Sequence, residues 1–575
     1  MLKLFRFLTP YRASIAVVMG LALAQSLANL YLPTLMADIV DDGIVPGDRR
    51  EIMAIGGVMV LVAVLGTICA VAGSFVAAKV ASGFGLIIRG RLFERATHLS
   101  VHQFDRFGTA SLITRTTNDT TQVQQVFLML LSMAITAPMM AIGGVTLSLS
   151  QDARLARVLI GVIPVMAIVF FLIMRKAVPL FQLMQGQLDR LNLVLDEGLS
   201  GVRVIRAFDR VAHESRRFHD ANLAVTSTAI AVNRLIALLL PAMLFMMNLT
   251  SILIIWFGAI RIESGEMHVG AMMASLQYAI QILFAVFMVA AVFVTLPRAV
   301  ASAARINEVL DVVPEINDPA RVQVPEAARG VVEFEGVTFR YPGAEEPALS
   351  GVSFTARPGE VTAIIGGTGS GKSTLAGLIP RFFDVNAGRV LVDGVDVREC
   401  SQADLRARIG FVPQKAVLFS GTVASNIAFG VDAATDDDIR HAATVAQAAE
   451  FIDRMPDGYA SAVSQGGTNL SGGQKQRLAI ARALLRRSDV YVFDDTFSAL
   501  DFATDARLRA ALRAVTQQAT VFIVSQRIGT VMTADRIVVL ADGRVAGIGS
   551  HAELLESCEV YREIAASQAS LGEVA

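Results

Sequence analysis

Apolar positions crowd the first 300 residues into six long runs, at 14–37, 55–80, 126–149, 155–175, 234–261 and 270–297. A helix crosses the hydrocarbon core of a bilayer with about 20 apolar residues, so each run is long enough to span. Stretches such as VMVLVAVLGTICAVAGSFVAA, 58–78, carry no charge at all, which argues against helices buried in a soluble core. Between the runs lie helical patterns of mixed polarity, RGRLFERATHL at 89–99 and GQLDRLNLVLDEGLSGVRVIRAF at 186–208. The spanning helices are therefore expected to continue well past the membrane. The start, MLKLFRFLTPYR, reads as a short interfacial helix rather than a cleavable signal.

Past residue 300 the period changes. A helical pattern through SAARINEVLDVV is expected to break at Pro314 and enter a linker of Pro, Asp and Glu. From Val331 onward, short β-branched runs alternate with helical stretches, as in a soluble α/β domain. The expected division is a transmembrane domain at 1–310, a linker at 311–330 and an α/β domain at 331–575.

Composition agrees with this plan: 54% of the 575 residues are hydrophobic and the mean hydropathy is +0.55. A net charge of −1 gives no footprint for nucleic acid, so no nucleic-acid partner is expected. Cys69, Cys400 and Cys558 lie too far apart for a metal-ligand motif, and reduced thiols are the simpler reading. Basic residues gather at the start (Lys3, Arg6, Arg12) and in the two long connections, and are sparse in the alternate loops. Both termini and the α/β domain are thus expected on the cytoplasmic side of a multi-pass protein.

Candidate chemistry begins with GGTGSGKST: Gly366, Gly367, Thr368, Gly369, Ser370, Gly371, Lys372, Ser373 and Thr374. It follows strand-like VTAII and precedes helical LAGLI, the context that a phosphate loop requires. The glycines let backbone N–H groups curl around phosphates, Lys372 bridges the β- and γ-phosphates of ATP, and Ser373 offers a hydroxyl to Mg²⁺. Asp494, ending the apolar run VYVF, fits the acid that holds the metal.

NLSGGQKQR, Asn469 to Arg477, follows about a hundred residues later, and with it the chain resembles the ATP-binding cassette (ABC) exporters. That resemblance implies six spans with one nucleotide-binding domain, the type IV exporter fold. It implies that Leu470, Ser471, Gly472, Gly473 and Gln474 close over ATP held by a second half-transporter chain. It also implies that Tyr341 stacks on adenine, that Gln414 senses metal and interface, and that Ser498, Ala499, Leu500 and Asp501 cross the dimer. LPTLMADIVDDGI, TASLITRTTNDTTQV and LSGVRVIRAFDR resemble the membrane half of these exporters, with coupling loops near 104–108 and 201–207.

At two positions the chain departs from the family. Where the family places a catalytic glutamate and a γ-phosphate-contacting histidine, this chain has Asp495 and Gln526. Aspartate withdraws the carboxylate by about 1 Å or more, a misplacement that can cost on the order of 10²-fold in rate. Glutamine cannot become cationic. The expectation is a heterodimer moving hydrophobic or lipid-like compounds, in which this chain's own site binds ATP and hydrolyses it slowly. A slow homodimer, an ATP-gated channel or regulatory membrane subunit, and an importer are the rivals. Met243, Met246, Met247, Met272, Met273 and Met288 suggest an adaptable apolar pocket beside Asn248, Gln277 and Gln281. Asp38, Asp41 and Asp42 suggest an outer cluster pairing with Arg49 and Arg50.

Overall fold

The computed structural model describes residues 1–325 and 329–569. Among these, six helical segments are long and apolar enough to cross a membrane: Lys3–Ile44, Arg49–His98, Thr109–Gln151, Ala153–Ser200, Val211–Glu263 and Val269–Val289. At 1.5 Å per residue, the 50-residue helix Arg49–His98 runs about 75 Å, more than twice the hydrocarbon thickness. The long extensions expected from the sequence are present.

Two apolar runs are not continuous helices. The third is interrupted at Ala134–Ile135 and the fifth at Leu238. Pro138 and Pro241 explain both breaks, because a proline ring collides with the carbonyl four residues back, here Ala134 and Ala237. The first segment opens as a 3₁₀ helix, Leu2–Tyr11, and it packs on the chain itself: Leu4 and Leu8 are buried, and the Phe5 and Phe127 rings lie 6.0 Å apart. The sixth helix ends at Leu310, short of the expected break at Pro314.

Asp41 does not pair with the arginines. Its Oδ1 accepts the Gly270 amide at 2.7 Å, at the start of the helix Val269–Leu310. Unpaired N–H groups at a helix start are fixed donors that favour an anion, whereas surface arginines must be ordered to bond. Among the described residues, Asp38, Asp41 and Asp42 make no ion pair with Arg49 or Arg50.

The chain divides into two compact units: 1–97 with 109–312, and 98–108 with 313–575. In the second, the helix Val101–Phe107 is capped by Ser100, whose Oγ donates to Glu315 at 2.8 Å, and Gln103 donates to the Val313 carbonyl at 2.9 Å. Asp318 accepts from the Gln402 amide at 3.0 Å, so this part of the expected linker is held within the second unit. Glu326, Ala327 and Ala328 of that linker, and residues 570–575, lie outside the described residues.

The α/β unit contains two larger sheets. Strands β1 (Val332–Phe339), β2 (Leu349–Ala356), β4 (Ala387–Val392) and β5 (Val395–Asp396) form an antiparallel sheet in the order β2-β1-β4-β5. The second sheet contains β3 (Val361–Gly366), β6 (Ile409–Val412), β9 (Val490–Asp494), β10 (Thr520–Val524), β11 (Arg536–Ala541) and β12 (Arg544–Gly549). A two-stranded pair, β7 (Gly421–Thr422) and β8 (Ala462–Val463), completes the count among described residues. The six-stranded order is β12-β11-β3-β10-β9-β6, parallel except for β12. Strands covered on both faces read as unbroken apolar runs, and β9 and β10 are buried throughout.

Candidate functional site

Four neighbouring parallel strands, β3-β10-β9-β6, deliver the candidate residues from their carboxyl ends. Ile364 of β3, Val524 of β10 and Asp494 of β9 share one rung, and Val412 of β6 faces Phe493. The phosphate loop follows β3, Gln526 follows β10, Asp494 and Asp495 end β9, and Gln414 follows β6. Such a sheet edge is where α/β folds bind ligands.

The phosphate loop owes its shape to two glycines above all. Gly371 has φ of +96°, and a Cβ there would lie 2.6 Å from the Ala348 carbonyl oxygen; a Cβ at Gly366 would collide with that of Leu540. Lys372 is buried, and its Nζ donates to the carbonyls of Gly366 and Gly367 at 2.9 and 2.6 Å. Burial lowers its pKa, opposed by the charges of Asp495 and Asp494. Ser370 Oγ is buried with no partner among the described residues, as suits a loop that closes around an acceptor-rich ligand.

Ser373 Oγ donates to Asp494 Oδ1 at 2.9 Å. Burial raises the pKa of Asp494, while the Ser373 bond and the charge of Lys372 lower it. Ser373, Asp494 and Gln414 offer a set of oxygens, the hard donors that Mg²⁺ prefers, so these residues fit that ion. Tyr341 stands 37% exposed, with edge-on contacts to Phe339 and Phe383 and a 2.9 Å bond between its hydroxyl and that of Thr374. An open ring, fixed from behind, provides a platform for a flat base. Sequence reading missed Phe339 and Phe383; Phe339 stands two residues before Tyr341, whereas nothing local in the sequence marks Phe383, more than forty residues further on.

Asp495 adopts a left-handed backbone, φ 45° and ψ 30°. Its Oδ2 accepts from Gln414 Nε2 at 3.2 Å. Gln526 is exposed, and its side chain makes no hydrogen bond among the described residues. The neighbouring Arg527 donates to the Ser498 carbonyl at 3.3 Å.

The signature occupies a different place. Ser471 caps the helix Gly472–Leu485: its Oγ accepts the Gln474 amide, and Gln474 Oε1 accepts the Ser471 amide at 2.9 Å. This capping box leaves a helix start of the kind that receives anions. A Cβ at Gly473 would sit 3.1 Å from the Ala499 carbonyl oxygen, so the signature (Leu470–Gln474) and the D-loop (Ser498–Asp501) pack together, with Leu470 and Leu500 in the same buried cluster. Asp501 caps the helix Phe502–Val515 through the Thr504 amide at 2.9 Å. The fold thus unites phosphate loop, Asp494, Asp495 and Gln414, and separately unites signature and D-loop. Among the described residues, no hydrogen bond joins the signature to the phosphate loop.

Residues 15–286 match the family "ABC transporter transmembrane region", and residues 349–498 match "ABC transporter". An uncharacterized ABC transporter ATP-binding protein of Mycobacterium tuberculosis is 44% identical over 97% of this chain and 96% of its own length. An ATP-dependent lipid A-core flippase of Chromobacterium violaceum is 31% identical over 95% and 94%. Among solved structures, a bacterial Atm1-family ABC exporter with ATP bound superposes with a TM-score of 0.82, at 27% identity, covering 97% of this chain and 98% of that one. With six apolar helices, a phosphate loop and a signature on one polypeptide, the chain belongs to the ABC transporters, as an exporter-type half-transporter that is embedded in the membrane and binds ATP to drive transport.

Proposed function

We propose that this chain is one half of a heterodimeric exporter for hydrophobic or amphipathic compounds, and that its own phosphate loop forms a site that holds ATP but hydrolyses it slowly. The observation that carries the reading is the pair Asp495 and Gln526 in an otherwise complete site. Tyr341 receives the adenine, the loop from Gly366 to Thr374 and Lys372 grip the phosphates, and Ser373, Asp494 and Gln414 hold Mg²⁺. The ion, when bound, neutralises charge on the phosphates. Asp495 is then the base for the attacking water, one methylene short, and its carboxylate is tethered to Gln414 rather than extended. Gln526 can donate a hydrogen bond but cannot offset developing negative charge as a cationic histidine would.

Leu470 to Gln474 would complete the hydrolysing site of a partner that keeps glutamate and histidine, with Ser498 to Asp501 crossing between the sites. The helices Val101–Phe107 and Val202–Ala207 fit the expected coupling segments, and both termini face the cytoplasm of a bacterium. For the cargo, the transmembrane unit has an apolar cavity of about 410 Å³ lined by Met129, Met166, Phe170, Met243, Phe287 and Thr295. Met246 and Met247 pack beside it with Leu283, while Met272 belongs to another cluster and Asn248 and Gln277 are exposed. Flexible thioethers suit lipid-like molecules, and the flippase relative acts on a lipid.

A slow homodimer is the second reading. It is favoured by Asp495 directly following Asp494, which bonds Ser373 of the phosphate loop, so that a carboxylate is kept close to the phosphates. The isolated chain in lipid tests the first reading. Very low ATPase is expected, because every site it can build contains Asp495 and Gln526; robust turnover sinks the heterodimer.

A further inference from the structure

The helix Glu559–Ala569 lays one face on the α/β unit. Tyr561, Ile564 and Ala565 join a cluster with Ala363 and Ile365 of β3, with Ile528 and Val531, and with Leu554 and Cys558. The helical period that sets 561, 564 and 565 on one face next reaches 568. Residue 568 is a glutamine.

Its side chain forms a two-bond clamp. Gln568 Nε2 donates to the Gln526 carbonyl at 2.7 Å, and Gln568 Oε1 accepts the Ile528 amide at 2.7 Å. One donor and one acceptor are required on the same planar group, and neither a carboxylate nor a hydrocarbon supplies both. The loop is also held elsewhere: the Ser525 amide donates to the Ile364 carbonyl at 3.1 Å, and Arg527 reaches the D-loop carbonyl of Ser498. The Gln526 backbone is therefore fixed between the strand that feeds the phosphate loop, the D-loop and the C-terminal helix. Its side chain makes no hydrogen bond among the described residues.

We infer that Gln568 is a positioning residue, through which the C-terminal helix sets where residue 526 meets the nucleotide's phosphates. This rests on reading 526 as the phosphate-contacting position. A side chain that swings from a fixed backbone samples a small volume, whereas a loosened loop misplaces it by the ångström that costs rate.

The test uses the full chain with its partner in lipid nanodiscs. Gln568→Met keeps the volume and removes both bonds; Gln568→Glu keeps an acceptor for Ile528 but sets a carboxylate against the Gln526 carbonyl. With Gln568→Met, hydrogen exchange at Ile528 should quicken about tenfold, the worth of a bond or so, with exchange in β3 and β9 unchanged. Gln568→Glu should give a smaller increase. In the background Asp495→Glu with Gln526→His, Gln568→Met should remove most of the ATPase that those changes add, with ATP affinity held within about twofold. Unchanged exchange at Ile528, or faster exchange throughout the domain, overturns the clamp. Faster local exchange with the added ATPase intact overturns the positioning role. If the background changes add no ATPase at all, the impaired-site reading falls, and local exchange alone judges the clamp.

Discussion

The proposed binding half and the proposed hydrolysing half of the ATP site are held very differently. On the binding side each group is buried or bonded: Lys372 on two carbonyls, Ser373 on Asp494, Tyr341 on Thr374. On the hydrolysing side, Asp495 has one side-chain bond among the described residues, of 3.2 Å, and Gln526 is exposed. The two departures from the family fall wholly on this second side. ATP binding and its hydrolysis are separable demands, because only interactions that strengthen in the transition state raise the rate. A chain can therefore keep the free energy of ATP binding for domain closure while losing the chemistry.

The largest expected effect comes from moving the chemistry to the other chain. In the proposed heterodimer, removing the catalytic glutamate of the partner should lower ATPase of the complex by roughly 10²-fold or more while both sites still bind ATP. Steady-state turnover and nucleotide binding on the same sample check this. Turnover that survives would make Asp495 a working base and erase the contrast between the halves. A smaller effect probes the binding side: Tyr341→Ala should weaken ATP binding at this site about tenfold, the worth of stacking one base. Tyr341→Phe, which loses only the bond to Thr374, should stay within about twofold, as a nucleotide titration would show.

The parts of this molecule that were legible from sequence are those in which a local pattern fixes the outcome. The glycine spacing of 366–371 demands a phosphate loop, the unbroken run VYVF demands a buried strand, and Ser471 with Gln474 forms a capping box that the sequence spells out. Contacts between distant residues were not legible. Asp41 was expected beside Arg49 and Arg50, its neighbours in sequence, and instead meets the amide of Gly270, brought there by the packing of the first and sixth helices. The Gln568 clamp joins residues 42 positions apart, and its only sequence signal is a polar residue where the period of Tyr561, Ile564 and Ala565 calls for an apolar one. The helix breaks lie between these cases: Pro138 and Pro241 are visible, but an apolar run hides how far each proline disrupts its helix.

The smallest effect sharpens the contrast most. Asp495→Glu alone lengthens the carboxylate by the missing methylene, yet the backbone it inherits is unfavourable. Asp495 sits at φ 45°, pinned by its amide on the Val524 carbonyl at 3.0 Å and by its own carbonyl, which accepts from Ser498 Oγ at 2.7 Å. Short polar side chains tolerate this left-handed region better than longer ones, so glutamate arrives with about 1 kcal/mol of local strain. It also faces an unchanged Gln526. With the partner's glutamate removed, so that only this site contributes, the single change should raise ATPase by no more than about threefold, and adding Gln526→His should gain more than the product of the two single effects. Single-turnover measurement separates the outcomes. A full return of activity from Asp495→Glu would show the hydrolysing half to be one methylene from competence, with Gln526 an adequate phosphate contact where it stands.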